Sequence, residues 1–138
     1  MSFLKNILGL ILGLITAGVV IFAVEFLGHL IHPPPVELDY ADELAVEGHM
    51  RTQPTTAFLL VMLAHVLGVF AGAWVAARIG QSWQLGLAMM IGFIMMLGGI
   101  WNLYRFPHPV WMWVEVPLYL LAAWLGGKAG MGRAAGAR

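Results

Sequence analysis

No cysteine occurs in these 138 residues. That absence excludes disulfides, thiolate-ligated zinc, iron–sulfur clusters and thiol nucleophiles, and it leaves the redox character of the compartment unread. Charge is almost as scarce: Asp, Glu, Lys and Arg make up 10% of the chain, against about a quarter in a soluble globular domain. A long polar stretch is also missing. The longest, 33–54, has 22 residues, and below about 40 residues a domain rarely folds unaided, so no soluble catalytic domain fits beside the rest. There is no Walker loop, dinucleotide fingerprint, G-x-S-x-G or H-E-x-x-H pattern.

What is present is apolar: 61% of residues are hydrophobic and the mean hydropathy is +0.86. Crossing a hydrocarbon core takes roughly 20 helical residues, and the runs 6–31, 55–77, 83–103 and 109–127 meet that length. The expectation is an all-α membrane protein. Its single transmembrane domain, 1–138, has four transmembrane helices in an up-down-up-down bundle, an outer acidic loop at 33–54 and a basic flexible tail at 128–138. The first run follows Lys5 but exceeds the roughly 7–15 residues of a signal h-region and has no A-x-A site, so it reads as a retained helix.

Lys and Arg favour cytoplasmic loops. With the N-terminus inside, Lys5, Arg78, Lys128, Arg133 and Arg138 lie on the inner face and Arg51 and Arg105 on the outer, which places both termini in the cytoplasm. The outer loop then carries Glu37, Asp39, Asp42, Glu43 and Glu47 against Arg51, a formal net of −4. Trp101, Tyr104, Trp111 and Trp113 fall near the outer aromatic belt, and Trp74, Trp83 and Trp124 near the inner. Pro33–Pro35 end the first helix, since proline offers no amide donor. Beyond it, "DYADELAVEG" either forms a short helix capped by Asp39 or stays a mobile loop.

Between helices in lipid, close packing requires small residues. Gly68 and Gly72, extended by Ala64 and Ala76, form such a row on the second hydrophobic segment, and His65 shares its side. On the first segment Gly18, Ile21, Glu25, Gly28 and His32 share a stripe, with His29 four after Glu25. The third carries Gly92, Met95, Gly99 and Asn102, and the fourth His108, Glu115, Tyr119 and Ala122. Pro117 is positioned to kink the fourth and release a carbonyl. At about 1.5 Å per residue, Glu25 lies roughly 12 Å from Pro33, His65 roughly 15 Å from Thr55 and Glu115 roughly 9 Å from Pro109. Glu25, His29, His32, His65, Asn102, Arg105, His108 and Glu115 therefore collect in the outer half. A charge at membrane depth costs about 2.5–3.5 kcal/mol on insertion scales and marks function by default.

Three uses of this cluster stay open. A single transition-metal ion, zinc, iron or manganese, would be held by two or three of Glu25, His29, His65, His108 and Glu115. A di-iron centre fits poorly, because Glu25 and His29 are i, i+4 and the deep carboxylates number two rather than four. Axial haem ligation is disfavoured by the unequal depths of His29 and His65. Alternatively, Glu and His chains relay protons or cations, although no polar residues continue inward beyond Thr16. In the structural reading Arg105 neutralises Glu25 or Glu115, with His29, His65 and Asn102 as partners that set helix register.

Minor features have plainer uses. His32 and His108 beside prolines cap the interface, and His49 is solvated. Met89, Met90, Met95 and Met96 fill gaps. With so little outside the bilayer, lipid is the main partner, self-association or a larger membrane complex is expected, and nucleic acid is not. The patterns "GHLIHPPP" and "FPHPVWMW" resemble those of small uncharacterised four-helix bacterial membrane proteins. That resemblance covers most of the chain and implies the bacterial inner membrane, but no activity or ligand.

Overall fold

The computed structural model describes residues 1–131. Their regular structure is entirely helical, with no strand among the described residues. The elements are α1 (Ser2–Ile31), α2 (Glu43–Thr52), α3 (Thr55–Ile79), α4 (Gln84–Arg105), a 3-10 turn (Val110–Val114) and α5 (Glu115–Met131). Four segments are long and apolar enough to cross a membrane: α1, α3, α4 and the 3-10 turn with α5. Of the basic tail expected at 128–138, residues 128–131 complete α5 and the remainder lies outside the described residues.

Helix ends follow local chemistry. α1 stops before the triple proline, with the His32 amide donating to the Gly28 carbonyl at 2.8 Å. The segment 33–54 is not loop throughout. α2 forms within it, and its cap is Asp42 rather than Asp39: the Asp42 carboxylate accepts from the Leu44 and Ala45 amides at 3.0 and 3.3 Å. Asp39 is engaged one turn earlier, accepting from the Ala41 amide at 2.9 Å. Glu43 in the first turn of α2 and Arg51 in the last complement its dipole. The last span also differs from a continuous helix with a proline kink. It is 3-10 before Glu115 and α after it, so Pro117 sits in the first turn of α5, where no amide donor is needed.

α3 is the hub, packing on α1, α4 and α5. Its contact with α1 is backbone on backbone. A Cβ added to Gly13 would stand 2.7 Å from the Gly72 carbonyl oxygen, and one on Gly68 would stand 2.8 Å from that of Ala17. The row on α1 is therefore Gly9, Gly13 and Ala17, all buried. Gly18, on the expected stripe, is exposed and faces open space. On the other side of α3, a Cβ at Gly130 would approach the Trp74 carbonyl oxygen to 2.6 Å. Gly92 and Gly99 give α4 the hollows that receive Ala123 and the Tyr119 ring of α5. The resulting core joins Val69, Ala73, Ala76, Leu87, Ala88, Ile91 and Ala123.

At one end, the Asn6 side chain binds the α3–α4 turn, donating to Ser82 Oγ at 2.8 Å and accepting from the Gln81 amide at 3.1 Å. Trp83 starts α4 with φ +54°, a left-handed geometry disfavoured for a bulky residue, and its ring lies over Gly86. At the other end a smaller cluster, Phe58, Leu103 and Met112, receives Met50 and so seats α2 across the bundle.

Candidate functional site

The small-residue row decides where the polar groups meet. Gly9, Gly13, Ala17 and Ile21 step by four along α1, and the next step is Glu25. α3 runs against this row, so beyond Gly68 the residue reached is His65, whose Nε2 stands 3.6 Å from Glu25 Oε1. The opposite ring nitrogen, Nδ1, lies 2.7 Å from Glu115 Oε1. Tyr119, one turn after Glu115, donates its hydroxyl hydrogen to the same carboxylate oxygen, and its oxygen lies 3.1 Å from His65 Nδ1. Gly99 allows the Tyr119 ring to sit there, since a Cβ would overlap it. Exposure is graded along the chain of groups: 2% for the Glu115 side chain, 13% for His65 and 35% for Glu25.

Proton counting narrows the states of this chain. Glu115 Oε1 accepts from Tyr119, and the 2.7 Å approach of His65 Nδ1 to the same oxygen places a hydrogen on Nδ1. In a neutral imidazole Nε2 then carries a lone pair, and it faces an oxygen of Glu25. A proton placed on Nε2 or on the carboxyl would turn these two facing acceptors into a donor and an acceptor. Their 3.6 Å separation exceeds direct hydrogen-bond range, about 2.7–3.2 Å, so direct transfer requires the partly exposed Glu25 side chain to turn. Glu115 Oε2 is buried with no hydrogen-bond partner among the described residues.

Glu25 also lines a cavity of about 400 Å³ between α1, α3, α4 and α2. His29, His32, His49, His108 and Asn102 line it too, while Phe58, Leu60, Val61 and Phe106 supply apolar wall. α2 roofs it with Val46, His49 and Met50, and Gln53 at the end of that helix completes the roof. Three of these histidines have separate anchors. His32 Nε2 pairs with Thr56 Oγ1 at 3.0 Å, His49 with the Gln53 amide at 2.8 Å, and His108 Nδ1 with the Phe106 carbonyl at 3.1 Å. His108 also packs edge-on against Phe58.

The structure thus brings Glu25, His65, Glu115 and Tyr119 together and leaves His29, His32, Asn102 and His108 on the cavity wall. The expected metal set does not converge: among the described residues no three His, Cys, Asp or Glu side chains are grouped to hold an ion. Both nitrogens of His65 are directed at carboxylates, and His32, His49 and His108 are tied to Thr56, Gln53 and the Phe106 carbonyl. Arg105 neutralises neither deep carboxylate. It pairs with Glu43 at the start of α2.

Sequence reasoning missed Gly9 and Gly13, whose four-residue spacing was readable, and the cavity-facing side of α2, where Val46, His49, Met50 and Gln53 follow helical spacing. Comparison with protein-family models, curated proteins and solved structures gives no match. What stands is the architecture: a small all-helical protein with four helices long and apolar enough to span a membrane.

Proposed function

We propose that this protein holds an exchangeable proton at the floor of a ligand-sized cavity and passes it between a bound small molecule and the chain Glu25, His65 and Glu115. The observation that carries the reading is the position of His65, with Nδ1 on buried Glu115 and Nε2 facing Glu25, which lines the cavity. Glu115 and Tyr119 fix the ring's tautomer and orientation, leaving Nε2 and Glu25 as the pair that gains and loses the proton. Buried His and carboxylate groups inside membrane helices serve such relays. Away from the cavity α1 and α3 meet through glycine and alanine around an apolar core, and Thr16 spends its hydroxyl on the Leu12 carbonyl at 2.8 Å. Exchange therefore takes place with one face.

The orientation that fits the arginine and lysine distribution puts both termini in the cytoplasm and the cavity on the outer side of a bacterial inner membrane. A reporter fused to the C-terminus is then expected to read cytoplasmic.

The relay is tested by infrared difference spectroscopy of the protein in lipid nanodiscs across a pH series. A protonated-carboxyl band should change with pH, disappear in Glu25→Gln and shift in Tyr119→Phe. A spectrum that Glu25→Gln leaves unaltered refutes it. A purely structural lock joining α1, α3 and α5 would lower stability in Glu25→Gln without any titrating band.

A further inference from the structure

We propose that the cavity binds a small hydrophobic cation, a quaternary ammonium or protonated amine on an apolar body, which takes the place of the proton at Glu25. This rests on the reading of Glu25 and His65 as a proton-holding pair and adds the class of molecule that exchanges with it. A volume of about 400 Å³ falls within the roughly 300–1,000 Å³ of small-ligand sites. The wall is mainly apolar and includes the rings of Tyr40, Phe58 and Phe106, whose faces attract cations. Among the lining residues no lysine or arginine is present, and the only carboxylate is Glu25.

The approach has the same sign. Glu37 and Asp39 flank Leu38 and alternate with the cavity-lining Leu38 and Tyr40, and Glu43 and Glu47 lie on the α2 roof. The two arginines at this end are already paired, Arg51 with Glu47 at 2.6 Å and Arg105 with Glu43. With Asp42, the acidic groups leave this end at a net of −3, five carboxylates against two guanidinium groups. Such a field concentrates cations at the mouth and repels anions.

Charge balances in the exchange. Before binding, Glu25 and His65 share one proton and are together neutral. A cation entering beside Glu25 pairs with its carboxylate, the proton leaves for solvent, and His65 stays neutral with Nε2 unprotonated. The groups that bear on Glu25 are His65 from α3, Glu115 and Tyr119 from α5 behind that ring, and His29 on its own helix, with His32, His49 and His108 around the wall. None supplies a fixed positive charge to oppose the ligand.

The experiment uses the full chain in nanodiscs and two probes of similar shape and opposite charge, benzyltrimethylammonium and benzylsulfonate. Calorimetric titration in two buffers of different ionisation enthalpy reads affinity and proton release together. The cation should bind at least about tenfold more tightly than the anion, release up to one proton per cation where the Glu25 and His65 pair holds its proton before binding, and weaken as pH falls. Glu25→Gln should cost the cation about tenfold in affinity and abolish proton release. Should that variant misfold, the proton count and pH dependence of the unmodified protein decide the matter. Equal affinity for both probes, no binding by either, or cation binding without proton release each overturns the proposal. The infrared titration separates the two levels: a titrating Glu25 with no cation binding sinks the ligand class alone, whereas no titrating Glu25 sinks the relay as well.

Discussion

In the half of the bundle that holds the chain's start, α1 and α3 approach until a Cβ on Gly13 would stand 2.7 Å from the Gly72 carbonyl oxygen. In the half under α2, the same two helices diverge around a cavity of about 400 Å³, and Gly28 meets only Leu60 side-chain atoms at 3.7 Å. The first half buries backbone and apolar side chains, with the Asn6 bonds to the α3–α4 turn at its end. The second carries both carboxylates that lie within the spans, Glu25 and Glu115, the Tyr119 hydroxyl and four of the five histidines, with His65 at the boundary. Lipid does little to press helices together, so small-residue contact must hold them somewhere. Close packing at one end lets the other end stay open enough to hold polar groups.

The largest expected effect comes from breaking the closed half. Gly72→Leu forces a side chain into the Gly13 carbonyl, which a Cβ alone would already approach to 2.5 Å, and should cost about 3 kcal/mol or more, read as lost thermal stability or aggregation in detergent. Next is Tyr119→Phe in the open half. It removes the hydroxyl donor from a carboxylate whose other oxygen has no partner among the described residues, and should destabilise by about 1–3 kcal/mol. If its melting point matches the unmodified protein, Glu115 does not depend on Tyr119. Arg105→Ala breaks an exposed ion pair worth about 0–1 kcal/mol, so overall stability should barely change while amide exchange in α2 quickens, because the pair anchors its first turn. The smallest effect belongs to Gly18→Leu. Gly18 faces open space, and an unchanged melting point beside the Gly72→Leu loss would separate the true packing row from the expected one.

These contrasts bear on what was legible in advance. The spans were readable because a hydrocarbon core demands about 20 apolar residues in succession. Gly68, Gly72, Gly92 and Gly99 were readable as packing positions by their small size and helical spacing. The grouping of Glu25, His65, Glu115 and Tyr119 could be approached by depth along each helix, but depth does not give rotation. A small rotational difference on α1 separates the stripe through Gly18 from the row through Gly9, Gly13 and Ala17. Arg105 was unreadable for another reason. Its partner Glu43 lies on α2, whose position depends on Met50 seating against Phe58, Leu103 and Met112.

Composition and periodicity by themselves determined that this chain is helical, apolar enough to cross a membrane four times, and supplied with polar groups on inward stripes, because backbone hydrogen bonding and lipid length leave few alternatives. Which polar groups touch was decided only by the tertiary structure. The rotation of α1 on α3 sets Glu25 against His65, the hollow at Gly99 admits Tyr119, and local anchors at Thr56, Gln53 and Phe106 hold His32, His49 and His108 apart. Hydrogen bonds act over a few ångströms, and positions of that accuracy come from packing rather than from order along the chain.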